Sequence, residues 1–284
     1  MARSLRVEYP NAVYHVTARG NGGNAIYLAD SEREAFLDIV SDVRQDFNWL
    51  IYAYCLMGNH YHLLLETPDA NLSEGMRRIN SSYAQRFNRI RGISGHLFQG
   101  RFKSVLVEKE NHLLEVCRYI ALNPVRAGIV KEPSQWRWSS YRVTAGIEAE
   151  TGLVDTVWIL SQFGVEITEA RQSYCRFVLD GVGAESPWKS LKGGLILGSD
   201  KYAQTIRPYL EKMALPARAQ KGNLRPGLDD IFADADDISV RNRTIYRACC
   251  EYGYLQREVA EHLGLSYVSV SRIISKLKML KVKD

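Results

Sequence analysis

Two histidines separated by one residue are the strongest chemical feature of the sequence. His60 and His62 lie in a segment, residues 59–65 (NHYHLLL), whose composition predicts a β-strand. Side chains alternate between the faces of a strand, so both imidazoles point the same way, about 7 Å apart. Two imidazoles at this separation can bind one divalent metal ion, although such a pair also occurs where histidines only line a polar strand face.

A tyrosine among basic residues follows this strand. Tyr83 lies in a segment predicted to be helical, with Arg86 and Arg89 close behind it. A tyrosine oxygen can attack a DNA phosphate and hold it as a covalent ester, and a bound metal ion can polarise that phosphate. The chain contains 16 tyrosines, so a structural role is the more common alternative for any one of them.

The charge pattern indicates a polyanionic partner. Net charge is +5, and the first 145 residues (18 basic, 14 acidic) and the last 44 (9 basic, 4 acidic) carry the excess, whereas residues 146–240 (10 basic, 14 acidic) are acidic. Residues 76–107 contain seven basic and no acidic side chains, which favours a phosphate-binding surface over a merely solvated one.

The order of predicted elements indicates the fold class. The sequence predicts β-α-β-β-α-β and one further helix, with boundaries at about 11–18, 30–47, 49–56, 60–66, 71–91, 103–108 and 111–122. This order is typical of an α+β, ferredoxin-like fold with an antiparallel sheet and helices on one face. The other face, or the seam between sheet and helix, is then free for a ligand.

The rest of the chain is predicted to be helical. After a catalytic domain over 1–145, the sequence predicts a helical middle region (146–215), a linker (216–237) and a helix-turn-helix domain (238–284). In that last domain, Ser269 and Arg272 suit base edges in a major groove, and Lys276 suits a phosphate. A three-helix bundle that binds protein is the alternative.

Several phrases together resemble the single-tyrosine HUH transposases, and among them the REP-associated tyrosine transposases. His60-Tyr61-His62 resembles the HUH motif, in which two histidines flank a bulky residue. The other phrases occur in the same order as in that family: YHVTARGN from position 14, GHLFQGRFKS from 95, YIALNPVRAG from 119 and WSSY from 138. The resemblance covers residues 5–145. Residues 242–283 more loosely resemble the C-terminal domain of the replication initiator DnaA.

The resemblance implies roles for individual residues. His60 and His62 would bind Mg²⁺ or Mn²⁺, and Tyr83 would attack the phosphodiester to give a 5′-phosphotyrosine and a free 3′-hydroxyl. In relatives a polar side chain one turn after the tyrosine completes the metal site, but position 87 here is Phe. Asn88 is the favoured third ligand, and Asn80 and Glu66 are alternatives. The candidate phosphate contacts are Arg19, Arg86, Arg89, Arg101 and Lys103.

The resemblance also implies partners: single-stranded hairpin DNA, duplex DNA at the C-terminal domain, and a second copy of the chain. A non-catalytic DNA-binding regulator on the same scaffold is the alternative function. Five cysteines without a C-x-x-C pair fit a reducing compartment, and no apolar run is long enough for a membrane span. These features predict a cytoplasmic, nucleoid-associated protein.

Overall fold

The computed structural model describes residues 6–212, 226–235, 237–250, 252 and 254–281. They divide into two compact units, one formed by Glu8–Leu191 with Leu195–Ser199, and one formed by Met1–Val7, Lys192–Gly194 and Asp200–Asp284. We call the first the sheet unit and the second the C-terminal unit.

The sheet unit begins with the predicted order of elements. Its first part consists of β1 (Ala12–Arg19), α1 (Asp30–Asp46), β2 (Leu50–Leu56), β3 (His60–Thr67), α2 (Leu72–Arg91), β4 (Lys103–Val107) and α3 (Lys109–Ala121). The mixed α+β class and the βαββαβ order are therefore confirmed. Strands β1 and β3 each have a neighbouring strand on both sides, and most of their residues are buried.

The sheet has five strands in the order β2-β3-β1-β4-β5. Its first four strands pair antiparallel, and β5 (Ile196–Leu197) adds in parallel to β4. This last strand was not expected, because the sequence predicts only helical segments there. Two residues are too short for a period-2 pattern to be visible.

Helices cover both faces of the sheet, which corrects the expectation that one face is free. On one face, Tyr61 of β3 contacts α1 through Phe36 (ring centroids 4.8 Å apart) and α2 through a hydrogen bond to Asn80 (2.7 Å). On the other, Leu64 of β3 shares a buried core with residues of α3. We call the first face the α1–α2 face and the second the histidine face.

The middle of the chain completes the core on the histidine face. After α3 come the short helices α4 (Asn123–Arg126), α5 (Tyr141–Thr144), α6 (Thr156–Ser161) and α7 (Ile167–Leu179). Ile159 of α6 and Tyr174 of α7 are buried in the same core as α3. The sequence predicts a domain boundary at residue 145, whereas the sheet unit extends to Leu191.

The C-terminal unit contains α8 (Asp200–Lys212), α9 (Leu228–Phe232), α10 (Ile238–Cys250), α11 (Gln256–His262) and α12 (Tyr267–Lys281). The last three helices share an apolar core that includes Ile245, Val259 and Val270. Helix α9 falls inside the predicted linker, and residues 216–225 of that linker lie outside the described residues.

Among the described helices, none has both the length and the apolar composition that a membrane crossing requires.

Candidate functional site

His60 and His62 lie at the start of β3, and their side chains share the histidine face. Residues that pair across antiparallel strands point to the same side of a sheet. His60 pairs with Arg19 and His62 with Thr17, and Thr17 also pairs with Lys103 of β4. The face therefore presents two imidazoles between two basic side chains.

Each imidazole has its Nδ1 engaged by a neighbour. His60 Nδ1 lies 2.7 Å from Asn59 Oδ1, and His62 Nδ1 lies 2.9 Å from Nε2 of His15 on β1. Asn59 Oδ1 only accepts, so His60 carries its proton on Nδ1 and has a lone pair on Nε2. When His62 donates to His15, its Nε2 is likewise unprotonated.

Nε2 of His62 is buried and has no hydrogen-bond partner. A buried polar atom without a partner is costly in a native structure, so this nitrogen is a candidate to bind a ligand or ion. Metal-binding histidines generally use one ring nitrogen for the metal while a neighbour holds the other, which is the arrangement at both residues. The two rings lie 5.0 Å apart and at 78°, so they approach one another without stacking.

Burial keeps both histidines neutral. It lowers the pKa of His62 well below 6.5, with further lowering by His15 and His60. Burial and then the charge of Arg19 lower the pKa of His60. Metal ligation requires neutral imidazole, so both residues are in the correct protonation state near neutral pH.

Tyr119 of α3 is the tyrosine that the structure brings to the histidines. Its ring centroid lies 6.2 Å from that of His62, and the side chain is half-buried. The guanidinium carbon of Arg126 lies 4.8 Å from the ring centroid. This tyrosine therefore combines proximity to the histidine pair, partial exposure and a nearby positive charge.

Asn123 follows Tyr119 by one helical turn. Its Nδ2 donates to the backbone carbonyl of Tyr119 (3.0 Å), which fixes the amide beside the tyrosine. The described residues contain no group of three or more His, Cys, Asp or Glu side chains that could hold a metal ion. For a metal ion bound by the histidine pair, Oδ1 of Asn123 is a candidate further donor, because amide oxygens are among the ligands that Mg²⁺ and Mn²⁺ accept.

The structure does not bring Tyr83 to the histidines, contrary to the expectation that these residues form one site. Its ring packs edge-on against Phe36 (5.2 Å) on the opposite, α1–α2 face, and the side chain is 1% exposed. Its hydroxyl donates to the carbonyl oxygen of Ile26 (2.5 Å). Burial, and then the charge of Glu32, raise the pKa of Tyr83, which opposes formation of a phenolate.

The three expected candidates for a third ligand also lie away from the histidines. Asn88 is on α2, on the other side of the sheet, and donates to the carbonyl of Gly95 (3.0 Å). Asn80 accepts a hydrogen bond from Tyr61 on that same side. Glu66 does share the histidine face, but it lies four residues after His62 on β3 and forms an ion pair with Lys109 (2.6 Å).

The candidate phosphate contacts divide between the two sides of the sheet. Arg19 and Lys103 are exposed and flank the histidines. Arg86 and Arg89 are exposed on α2, the helix of the opposite face, and Arg101 is exposed just before β4.

The candidate DNA contacts of the C-terminal unit lie together on α12. Arg272 and Lys276 are exposed. Ser269 is partly buried, and its backbone N–H donates to the hydroxyl of Ser266 (3.1 Å), which caps the helix. Gly264 has φ of 63° in the turn between α11 and α12, a left-handed conformation that favours glycine.

Comparison with known proteins finds a similar family for the first part of the chain. Residues 8–123 match the family model of IS200-like transposases. Over these residues the chain is similar to the IS200-like transposases. The expected resemblance is therefore confirmed, and it supports DNA processing of the transposase type as the general function.

Individual relatives are more distant. A protein of Haemophilus influenzae, described as a REP-associated tyrosine transposase, is 23% identical over an alignment of 134 positions that covers 41% of this chain and 76% of the relative. A REP-associated tyrosine transposase solved with a REP hairpin is 20% identical and covers 59% of this chain and 94% of its own, with a TM-score of 0.45. A transposase structure from Deinococcus radiodurans is 19% identical and covers 42% and 95%, with a TM-score of 0.31.

The sequence does contain a signal for the residues that its interpretation missed. Tyr119 and Asn123 are spaced four apart, the interval that places side chains one above the other on a helix. In relatives, a polar residue follows the tyrosine by one helical turn. Asn123 has that position after Tyr119, whereas the residue in the same position after Tyr83 is Phe87.

Proposed function

We propose that the sheet unit is a metal-dependent endonuclease and strand transferase for single-stranded DNA, with Tyr119 as the nucleophile. The observation that carries this proposal is the common location of His60, His62 and Tyr119 on one face of the sheet. Tyr119 takes the role that the sequence interpretation gave to Tyr83.

His60, His62 and Asn123 would hold a divalent ion, Mg²⁺ or Mn²⁺. The open Nε2 of His62 and the engaged Nδ1 atoms of both imidazoles support this assignment. When bound, the ion acts as a Lewis acid that polarises the scissile phosphate and neutralises developing charge.

The chain's own residues position the DNA and supply the nucleophile. Arg19 and Lys103 contact phosphates on either side of the histidines and align the strand. The oxygen of Tyr119 attacks phosphorus and loses its proton to water, the bond to the 3′ oxygen breaks, and that oxygen takes up a proton. The products are a 5′-phosphotyrosine and a free 3′-hydroxyl, which conserves the phosphoester bond for transfer to another strand.

Hairpin DNA is the proposed substrate. A similar structure contains a REP-associated tyrosine transposase bound to a REP hairpin, and this chain has the basic side chains for such a partner. We further propose that the chain acts as a homodimer, and that α12 of the C-terminal unit binds duplex DNA through Ser269, Arg272 and Lys276.

The same geometry weakens the alternative of a non-catalytic regulator. The phenylalanine at position 87 favours that alternative only slightly, because it departs from the polar residue that follows the tyrosine in relatives. With Tyr119 as the nucleophile, Asn123 provides an amide one helical turn later, and the proposed metal site does not depend on position 87.

Covalent trapping tests the proposal. The full-length protein is incubated with labelled single-stranded hairpin DNA from the flanks of its own gene, with Mn²⁺, and separated on a denaturing gel. We expect a slow-migrating adduct with wild type and with Tyr83→Phe, and none with Tyr119→Phe, with His60→Ala or with chelator. An adduct that persists in Tyr119→Phe would refute the assignment of the nucleophile, whereas tight hairpin binding without any adduct would favour the regulator.

A further inference from the structure

Trp188 reaches the histidine face from a distant part of the chain. It lies in a short 3₁₀ segment, Pro187–Ser190, well beyond residues 8–123 that match the transposase family. Its indole packs on the core of the histidine face and is half-buried there.

Trp188 covers the ring that engages His62. Its ring lies 4.6 Å from that of His15 with an interplanar angle of 19°, a face-to-face contact. His15 also contacts His62, with 2.9 Å between Nε2 of His15 and Nδ1 of His62 and ring planes 13° apart. The three rings form a chain, Trp188–His15–His62, that ends at the unpartnered Nε2 of His62.

The same indole contacts the proposed nucleophile. The rings of Trp188 and Tyr119 meet edge to face, with centroids 5.3 Å apart and an angle of 82°. Tyr119 in turn lies 6.2 Å from His62. One side chain therefore touches both the residue that orients a metal ligand and the residue that would attack the DNA.

We propose that Trp188 is a positioning residue for this site: by stacking on His15 it holds His62 with Nε2 open, and by its edge contact it fixes Tyr119. This inference rests on the proposed function for the role of Tyr119 and the metal. The orientation of His62 by Trp188 is independent of it.

The expected effect follows from the distance between Trp188 and the metal ligand. Partners that orient a ligating histidine typically change metal affinity 10–100-fold when they are lost. Trp188 acts one residue further out, through His15, so we expect about a tenfold loss of Mn²⁺ affinity in Trp188→Ala, the lower end of that range. In Trp188→Phe, an aromatic face remains over His15, and the loss should be small.

The test uses the full-length protein without DNA and has two readouts. The chain has six histidines, so selective ¹⁵N labelling of histidine resolves the tautomers of His15 and His62 by NMR without metal. Mn²⁺ affinity is measured separately by electron paramagnetic resonance, with His62→Ala defining the specific component.

The matched control is Trp158→Ala. Trp158 is also half-buried in the sheet unit, but its ring contacts Tyr52 (6.0 Å) and Lys109 rather than the histidines. Trp188→Leu keeps an apolar side chain without a ring face, and it replaces Trp188→Ala in both measurements if that variant does not fold.

We expect Trp188→Ala and Trp188→Leu to shift the His15 and His62 resonances toward mixed tautomers and to weaken Mn²⁺ binding, with Trp188→Phe and Trp158→Ala near wild type. Unchanged resonances and affinity in both Trp188 variants would overturn the inference, as would equal changes in Trp158→Ala. If wild type shows no Mn²⁺ binding that depends on His62, the proposed metal site fails, and the metal-free spectra alone decide the role of Trp188.

Discussion

Tyr83 is held in the core of the sheet unit as a hydrogen-bonded phenol, and its replacement by phenylalanine should lower stability while leaving cleavage intact. The hydroxyl is within 2.5 Å of the carbonyl oxygen of Ile26, and both residues are essentially inaccessible to solvent. Phenylalanine keeps the ring contacts with Phe36 and removes only the hydroxyl. The substitution therefore isolates the hydrogen bond from the packing.

The size of the effect follows from the loss of one buried hydrogen bond. A typical bond contributes about 1 kcal/mol net, and a buried carbonyl left without a donor costs about 1–3 kcal/mol. We expect the free energy of unfolding to fall by about 1–2 kcal/mol. For a unit of 150–250 residues this corresponds to a decrease in Tm of about 2–8 °C.

Two measurements on Tyr83→Phe check this reasoning. Urea unfolding followed by tryptophan fluorescence gives the change in stability, and the trapping assay at a temperature well below the transition gives cleavage. We expect a lower urea midpoint with an unchanged slope, together with a normal yield of adduct. Wild-type stability combined with complete loss of the adduct would refute the structural role and restore Tyr83 as the nucleophile.

Three further predictions concern packing, pH and DNA binding. In Gly75→Ala, the new Cβ would lie 2.3 Å from Cζ2 of the buried Trp49. Overpacking of this kind costs up to about 3 kcal/mol, whereas alanine gains about 1 kcal/mol in helix propensity over glycine. Urea unfolding should therefore show that the free energy of unfolding falls by about 2 kcal/mol. Burial raises the pKa of Glu108, but hydrogen bonds from the backbone N–H of Ser199 and from the side chains of Asn111 and Ser199 lower it overall. This carboxylate therefore stabilises the fold above its unfolded pKa and loses that contribution as pH falls through its folded pKa. Ser199→Ala removes only the hydroxyl contact, so it should partly flatten the acid limb of stability against pH. Arg19→Ala should weaken single-stranded DNA binding and reduce the slope of log affinity against log salt by about 0.7.

Each of these predictions has a control. Gly58→Ala, at a glycine without a positive φ where an added Cβ meets no atom within 4 Å, adds a methyl group without a clash and should not show this loss. Thr205→Ala removes a hydroxyl outside the Glu108 contact and should leave the pH dependence unchanged. Arg86→Ala removes a basic residue from the α1–α2 side; if it changes the salt slope as much as Arg19→Ala does, the assignment of the DNA-binding face is wrong.

The elements and the histidine face could be predicted from the sequence because both depend on local periodicity. The alternation in β3 fixes that His60 and His62 point together, and the structure has them so. The strand boundaries follow from glycine-rich and polar connections, and most observed boundaries differ from the predicted ones by only one or two residues.

The helix that covers the histidines could not be predicted in the same way. Helices α2 and α3 are both amphipathic, and local pattern does not say on which face of the sheet each packs. The arginines around Tyr83 favour its interpretation as a DNA-binding residue, whereas the apolar residues that precede Tyr119 are typical of a helix that packs in a core. The role of Trp188 is still more difficult to predict from the sequence. Its contact with His15 joins residues 173 positions apart, and such a contact has no local sequence pattern.

The central claim is that Tyr119 becomes linked to DNA, and mass spectrometry of the trapped adduct tests it most directly. Trypsin cleaves after Arg118 and Arg126 and after Arg78 and Arg86, so Tyr119 and Tyr83 fall in separate peptides, 119–126 and 79–86. After nuclease digestion of the DNA, we expect the mass of a residual phosphonucleotide on peptide 119–126, with peptide 79–86 unmodified. A modified peptide 79–86 with 119–126 unmodified would contradict the account.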